Sequence, residues 1–224
     1  MKRQSGSFMT IIFACAALLA TAFAAVIATL PAAQAQGQPI RLVALGDSLS
    51  AGYNLPQEAA FPTVLERALK AKGYKVEVAN AGVSGDTSSG GLDRLDWSVP
   101  DGTDGVILEL GANDMLRGLD PVGTRKNLET IVERLKSRNI PVLLAGMVAS
   151  RNLGPAYVQK FDSIYPDIAK THDLVLYPFF LDGVAGDRSL NLPDGLHPTA
   201  KGVEIIVERI LPSVESFLAR LAQR

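Results

Sequence analysis

The sequence predicts an α/β protein, a three-layer α/β/α sandwich in which helices cover both faces of a mostly parallel five-stranded sheet. Two observations support this fold class. Short runs rich in Val, Ile and Leu alternate with longer segments of helical periodicity, and the connections between them are short. Several of the runs are apolar almost throughout, which is typical of parallel strands that are buried on both faces.

Five apolar runs are the candidate strands. Because helical segments separate them, consecutive strands are expected to run parallel and to end at the same edge of the sheet. The runs are "IRLVALG" (40–46), "KVEVAN" (75–80), "GVILELG" (105–111), "IPVLLAG" (140–146) and "DLVLYPF" (173–179).

Three segments carry apolar residues at helical spacing. The first has Pro62 near its start and Gly73 past its end, and the second follows Asp120-Pro121, a suitable N-cap and first-turn pair. The third lies near the carboxyl terminus and contains Pro212, which is expected to kink it. The apolar positions are Phe61, Val64, Leu65, Ala68 and Leu69; Leu128, Ile131, Val132 and Leu135; and Val203, Ile206, Val207, Ile210 and Val214.

Residues 1–35 have the composition of a secretory signal peptide. Two basic residues precede an uncharged apolar run over 11–30, and an Ala-Gln-Ala cleavage site ends at Ala35. Cleavage there leaves residues 36–224 as a single domain, periplasmic or secreted, with no stable membrane association expected. The alternative is a retained anchor that faces the periplasm, since about 20 apolar residues can span a bilayer.

Composition excludes several functional classes. The only cysteine, Cys15, lies in the apolar run, so the mature domain can form no disulfide and has no thiol nucleophile. The formal net charge is −1, or −3 without Lys2 and Arg3, and no basic patch indicates a nucleic-acid partner. Nothing in the sequence suggests a metal or an organic cofactor.

Polar residues follow the first three candidate strands, at the sheet edge where α/β proteins bind ligands. They are "GDS" (46–48), "AGVSGDTS" (81–88) and "GAND" (111–114). Ser48 in the first is either a nucleophile or a turn residue, because Gly, Asp and Ser also make ordinary turns. A hydroxyl nucleophile needs a base, an orienting carboxylate and donors for the oxyanion.

The chain has two histidines, so the choice of base is narrow. His172 lies between a helix and a strand, at the expected amino end of the sheet, which favours a surface or capping role. His197 lies in a loop stiffened by Gly and Pro, three residues after Asp194. In a tight turn this spacing can aim the carboxylate at one imidazole nitrogen, so His197 and Asp194 are the candidate base and orienting group.

Three groups are candidate oxyanion donors. Gly85 offers a backbone N–H with no side chain to block close approach, Asn113 offers a neutral side-chain donor, and Ser48 offers its own N–H. Taken alone, Gly85 is equally a turn position with positive φ, and Asn113 is equally a loop cap. The placement of all the candidates at one sheet edge favours the catalytic interpretation.

Four sequence blocks resemble those of the SGNH, or GDSL-type, hydrolases. They are "GDSL" (46–49), Gly85, "GAND" (111–114) and "DGLH" (194–197), in the order of that family. Longer segments are similar to its periplasmic esterase group, which includes acyl-CoA thioesterase I, also called lysophospholipase L1, and arylesterases. These segments are "GDSLSAGY" (46–53), "SGDTSSGGL" (84–92), "ELGANDMLRG" (109–118), "IYPDIAK" (164–170) and "DGLHP" (194–198).

The resemblance implies the flavodoxin-like SGNH hydrolase fold and a role for each matching residue. Ser48 is expected to be the nucleophile, His197 the base and Asp194 its orienting carboxylate. The oxyanion hole is expected to consist of the Ser48 N–H, the Gly85 N–H and the Asn113 side chain.

Other residues carry further expectations. Asp47 is expected to hold the turn, and Asp114 and Arg117 to form a structural pair near the site. Segment 147–161 departs from the thioesterase-like pattern where it should border the acyl pocket, which leaves the acyl preference open. Tyr53 can either pack near the site or contact substrate.

The predicted function is a serine esterase that hydrolyses aryl and short-to-medium acyl esters through an acyl-enzyme on Ser48. Thioesters and lysophospholipids are further small-molecule substrates implied by the resemblance. One alternative is a carbohydrate O-deacetylase with the same triad, disfavoured because the chain has a single Trp. Another is a non-catalytic flavodoxin-like binding module, disfavoured because Asp47 would repel a phosphate after the first strand.

Overall fold

A computed structural model describes residues 38–223, and residues Pro39–Arg224 form one compact unit. The predicted signal peptide and its cleavage site lie outside the described residues. The strands are β1 (Ile40–Gly46), β2 (Val76–Gly82), β3 (Gly105–Glu109), β4 (Val142–Ala145) and β5 (Val175–Tyr177).

Helices separate the strands and follow the last of them, as the alternation of sequence patterns predicts. They are α1 (Ser48–Ala51), α2 (Phe61–Ala71), α3 (Ser88–Asp93), α4 (Leu95–Ser98), α5 (Ala112–Leu116), α6 (Pro121–Ser137), α7 (Pro155–Asp162), α8 (Ile164–His172) and α9 (Ala200–Leu221). Two 3-10 turns lie at Gln57–Ala59 and Arg151–Leu153. Pro212 lies inside α9, which continues past it to Leu221.

The five strands form one sheet in the order β2-β1-β3-β4-β5, and every pairing is parallel. The prediction of a parallel sheet between helical layers is therefore confirmed. After β2 the chain returns past β1 to add β3 on the other side. Such a reversal opens a crevice between the carboxyl ends of β1 and β3, and ligands bind at such a crevice in open α/β sheets.

The core lies on both faces of the central strands. Strand β3 is buried along its whole length, and so is β4. Helices α2 and α9 pack against each other, as do α6 and α8, and these pairs belong to the two outer layers. An aromatic contact between Phe61 and Phe180, with ring centroids 4.9 Å apart, ties α2 to the loop after β5.

Three observed strands, β3, β4 and β5, are shorter than their apolar runs. Strand β4 ends at Ala145 and β5 at Tyr177, although the apolar residues continue to Gly146 and Phe179. Gly146 still donates to Tyr177 O, but its own carbonyl accepts from Phe180 rather than from Phe179, so the regular ladder ends there. Phe179 lines a cavity, so its hydrophobicity reports a place in the cavity wall rather than in a strand.

No helix among residues 38–223 has both the length and the apolar character required to cross a membrane.

Helix α1 packs closely on the end of β2. A Cβ added at Gly82 would lie 2.3 Å from the backbone N of Ala51. Because backbone cannot yield as a flexible side chain can, only a residue without Cβ permits this approach. The position of α1, and of Ser48 at its start, depends on this contact.

We expect Gly82→Ala to lower the free energy of unfolding by about 1–3 kcal/mol, the usual effect of overpacking. It should also lower kcat, because α1 must move. Gly123→Ala is the matched control, since Gly123 lies in α6 with no atom within 4 Å of the added Cβ. That change should be neutral or stabilise by up to about 1 kcal/mol. Urea denaturation of both variants measures the difference, and equal effects would contradict the packing argument.

Candidate active site

Ser48 and His197 meet at the carboxyl edge of the sheet. Ser48 begins α1 directly after β1 and is only 8% exposed. Its Oγ lies 2.9 Å from Nε2 of His197, which comes from the loop between β5 and α9. A hydroxyl within hydrogen-bond reach of an imidazole can pass its proton to that nitrogen.

Asp194 contacts the other side of the same imidazole. Its Oδ2 lies 2.8 Å from His197 Nδ1, and its Oδ1 accepts the backbone N–H groups of Leu196 and His197 at 2.9 and 3.0 Å. The backbone hydrogen bonds from His197 and Leu196, with the imidazole contact, lower the pKa of the Asp194 carboxyl to about 2. The carboxylate is therefore ionised at neutral pH and holds the proton of the imidazole on Nδ1.

The loop that carries His197 is fixed at its base. Leu192 donates its N–H to the carbonyl of His197 at 2.7 Å, and Asn191 forms an antiparallel bridge with Pro198. The Asn191 side chain donates to the carbonyls of Val184 and Asp187, each at 2.7 Å. The sequence did not indicate this role for Asn191, because its partners are backbone carbonyls in an irregular segment that has no recognisable pattern.

Tyr53 packs on the face of His197. The two ring centroids are 4.3 Å apart with an interplanar angle of 32°. Of the two alternatives for Tyr53, packing is the one seen here, and its partner is the candidate base. The ring shields one face of the imidazole from solvent and restricts its rotation.

Asp47 and Asn113, which lie close to Ser48, are joined by a side-chain hydrogen bond. Asp47 caps α1 by accepting the N–H of Leu49 at Oδ1, 3.0 Å away, so its predicted role in the turn is confirmed. Its Oδ2 accepts from Asn113 Nδ2, also at 3.0 Å. Asn113 lies in α5, directly after β3, and lines the same cavity as Ser48.

A second buried carboxyl, Glu109, lies at the end of β3. Its Oε2 accepts from Ser50 Oγ at 2.8 Å and from the N–H of Asp47 at 3.3 Å, whereas its Oε1 has no hydrogen-bond partner among the described residues. Burial raises the pKa of Glu109 well above its usual value, and the neighbouring charge of Asp47 raises it further. Burial also raises the pKa of Asp47, to about 6. Sequence reasoning passed over Glu109, although a single charge in the apolar run "GVILELG" was a usable signal.

Gly85 lies in the loop after β2 with a φ of +86°, a conformation that favours glycine. Its carbonyl accepts from the Arg117 guanidinium at 2.7 Å. Its N–H makes no hydrogen bond to another described residue, and Gly85 is not among the residues that line the cavity. The structure therefore places Gly85 outside the cavity wall, with an N–H that has no hydrogen-bond partner among the described residues.

The expected pair of Asp114 and Arg117 is wrong. Asp114 is buried and accepts from Ser88 and from Thr124, which ties α5 to α3 and α6. Arg117 instead reaches Gly85. Asp114 lies in α5 and Arg117 directly follows that helix, and each supports a different point of the neighbouring chain.

An apolar cavity of about 310 Å³ opens beside Ser48, Asn113 and His197. Met147, Val148 and Ser150 line it, as expected of the segment that borders an acyl pocket. The remaining apolar wall consists of Leu49, Ala112, Met115, Leu116, Phe179, Leu181, Ala185 and Leu196. Among residues 38–223, no group of three His, Cys, Asp or Glu side chains is placed to hold a metal ion.

The other histidine, His172, ends α8 at the amino end of the sheet. It borders a separate cavity of about 210 Å³ with the residues that begin β4 and β5. Its predicted position is confirmed, and it is distant from Ser48 because the two ends of a parallel strand carry different loops.

We expect Glu109→Gln to raise the free energy of unfolding at about pH 8, because burial and the charge of Asp47 raise the pKa of Glu109 in the folded chain. The unfolded chain releases the Glu109 proton near the ordinary pKa, whereas the folded chain keeps it to higher pH. The stability of the native protein therefore falls as pH rises through that interval. Urea denaturation at about pH 5 and about pH 8 should show a smaller gain at the lower pH. Glu133→Gln, on the exposed side of α6, is the control, and an equal gain at both pH values would contradict the argument.

Residues 44–205 match the GDSL-like Lipase/Acylhydrolase family. The chain is 35% identical over 178 residues to Esterase TesA of Pseudomonas aeruginosa, covering 79% of this chain and 89% of the relative. It is 39% identical over 179 residues to an Arylesterase of Vibrio mimicus, covering 80% and 90%. It is also 38% identical over 168 residues to Thioesterase 1/protease 1/lysophospholipase L1 of Escherichia coli K12, covering 75% and 79%.

Solved structures agree with these relatives. A crystal structure of TesA superposes with a TM-score of 0.75 at 34% identity, covering 79% of this chain and 98% of that one. AlinE4, an SGNH-hydrolase family esterase, superposes with a TM-score of 0.69 at 45% identity, covering 81% and 98%. Both the matched residues and the fold lead to one assignment: the chain belongs to the GDSL-like lipase/acylhydrolase family and is a carboxylic ester hydrolase.

Proposed function

We propose that this chain is a serine esterase that hydrolyses aryl and short-to-medium acyl esters through an acyl-enzyme on Ser48. The observation that carries the proposal is the hydrogen-bonded series from Ser48 through His197 to Asp194, beside an apolar cavity. Relatives named esterase, arylesterase and thioesterase/lysophospholipase support it. Thioesters and lysophospholipids are further candidate substrates.

In the first step, Ser48 Oγ attacks the carbonyl carbon of the ester. His197 Nε2 takes the hydroxyl proton as the new C–O bond forms, and the carbonyl electrons move onto oxygen. Asp194 stabilises the resulting imidazolium through its contact with Nδ1. Collapse of this intermediate passes the proton from Nε2 to the departing alcohol or thiol and leaves the acyl group on Ser48.

Three donors stabilise the negative oxygen of the intermediate. The Ser48 N–H belongs to the first turn of α1, where backbone donors have no partner within the helix. The Gly85 N–H has no partner among residues 38–223, and its loop is held by Arg117. Asn113 contributes a neutral side-chain donor, and fixed donors of this kind are worth more in a site shielded from water.

Water then attacks the acyl carbon while His197 takes one of its protons. Collapse of this second intermediate breaks the bond to Ser48 Oγ, to which His197 returns the proton, and releases the carboxylic acid. The acyl chain occupies the cavity beside the nucleophile, where the wall is formed by Leu49, Met115 and Phe179. At about 310 Å³ this cavity is near the lower limit of small-molecule sites, which supports short-to-medium acyl groups as substrates.

The esterase acts in the periplasm or outside the cell if residues 1–35 are a signal peptide, as their composition indicates. A retained segment over 11–30 would instead anchor it facing the periplasm. Of the other two functions considered, the binding module gives no role to the Ser48–His197–Asp194 series. The sugar O-deacetylase gains no support from Trp97, which lies exposed in α4 and does not line the cavity.

We expect Ser48→Ala and His197→Ala each to lower kcat for p-nitrophenyl acetate by about 10³-fold or more, because removing either member of such a unit disables attack. Both variants should keep the native circular dichroism and melting temperature. His172→Ala is the matched control, since it changes the other histidine at the opposite end of the sheet, and it should leave kcat unchanged. Near-full activity of either purified site variant would refute the assignment.

We expect the rate of p-nitrophenyl ester hydrolysis, measured from acetate to palmitate, to peak at short-to-medium chains, because the cavity is small. Ser48→Ala measures the background at each length. A peak at the longest chains would favour lysophospholipids and fatty thioesters as substrates. Activity confined to acetylated sugars would favour the O-deacetylase.

A further inference from the structure

We propose that Asp47 is a positioning residue for catalysis, which fixes the orientation of the Asn113 side-chain amide and so aims one of its N–H groups at the oxyanion. This inference rests on the proposed role of Asn113 as an oxyanion donor. It assigns to Asp47 a function beyond holding the turn before Ser48.

Both oxygens of the Asp47 carboxylate have defined partners. Asp47 is fully buried, with Oδ1 accepting from the N–H of Leu49 and Oδ2 accepting from Asn113 Nδ2, each at 3.0 Å. The first contact caps α1, a task that a Ser or Asn at this position performs about as well. The second contact crosses from the end of β1 to the end of β3 and has no part in capping.

The two ends of an amide side chain have nearly the same shape but opposite hydrogen-bonding character. A carboxylate can only accept hydrogen bonds, so Asp47 is compatible with Asn113 Nδ2 and incompatible with its Oδ1. Packing alone would leave the two orientations close in energy. The contact with Asp47 therefore selects one of them.

The selected orientation has a direct consequence for the oxyanion. The Asn113 amide nitrogen carries two N–H groups, of which one points to Asp47, so the other is available on the cavity side. In the opposite orientation an oxygen lone pair would replace that donor. An acceptor facing the developing negative charge would raise the barrier rather than lower it.

The surroundings of Asp47 keep it in place as an acceptor. Its own N–H donates to Glu109, and the Arg94 guanidinium donates to the carbonyl of the adjacent Gly46 at 2.8 Å. The other charged or titratable groups that act on it are His197 and Asp114, and they are opposed in sign. The negative charge of Asp47 raises the pKa of Glu109, which places the charge of this buried pair on Asp47.

Two variants separate capping from positioning. Asp47→Ser retains an oxygen that can accept from Leu49, but it is too short to reach Asn113. Asp47→Asn retains the shape and presents an amide donor, which turns Asn113 to the wrong orientation. We expect each to lower kcat for p-nitrophenyl acetate by about 10–100-fold with KM within about 3-fold, because the loss is confined to the transition state.

The same changes are then made in the Asn113→Ala protein. Asn113→Ala alone should lower kcat by about 10²–10³-fold if the amide is an oxyanion donor. In that background Asp47→Ser and Asp47→Asn should each cost less than about 3-fold, because the group they misalign is absent. Residues that act through one another are non-additive, whereas independent structural damage is additive.

Ser50→Ala is the matched control. It removes a hydrogen bond to Glu109 from the same buried network without touching Asn113, so kcat should stay within about 3-fold of the native value. The side-chain amide signals of Asn113 in ¹H–¹⁵N spectra give a readout that is independent of activity. They should shift in both Asp47 variants and remain unchanged in Ser50→Ala.

Each outcome bears on one of the two assignments. An equal loss of kcat in the native and Asn113→Ala backgrounds, or unchanged Asn113 amide signals in both Asp47 variants, overturns the positioning role alone. Full kcat in Asn113→Ala overturns the proposed oxyanion role of Asn113, and the positioning role with it. A strong loss in the native background that disappears in Asn113→Ala supports both.

Discussion

The parallel pairing of β1 with β3 is the constraint on which the site depends. In its register Gly46 stands opposite Glu109, so the segments that follow these strands leave the sheet side by side. One begins with Ser48 and the other contains Asn113. Parallel strands end at a common edge, and the reversal of strand order opens a crevice there. Ser48 and Asn113 are therefore neighbours although they lie 65 positions apart in the sequence.

Two carboxyl groups are buried at this edge of the sheet. Asp47 and Glu109 are both fully buried, and the backbone N–H of Asp47 donates to the Glu109 carboxyl. Taking such groups out of water destabilises the folded chain at neutral pH, since burial raises the pKa of each. The Asp47 carboxylate holds the start of α1 and the amide of Asn113 through hydrogen bonds. The fold gives up stability at this point and gains a rigid arrangement of donors, as is common at catalytic sites.

The charged groups farther from Ser48 have a supporting role. Asp114 joins α5 to the helices beside it, and Arg117 holds the carbonyl of Gly85. On the opposite side, Asp194 is exposed and hydrogen-bonded, and its pKa is lowered to about 2. Carboxyl groups of the same type thus have opposite pKa shifts within one site. Desolvation raises the pKa of the buried carboxyl groups, whereas hydrogen bonds from backbone N–H groups lower the pKa of the exposed one.

The sequence by itself determined the fold class, the order of strands and helices, and the residue types at the sheet edge. Apolar periodicity encodes burial, and a loop motif such as "DGLH" encodes a contact between neighbours in the chain. Only the tertiary structure decided which distant residues meet. Arg117 contacts Gly85 rather than Asp114. Tyr53 packs on His197, and Asp47 accepts a hydrogen bond from Asn113. Each of these contacts joins distant segments, and their distances are set by strand register and helix packing, which no local pattern records.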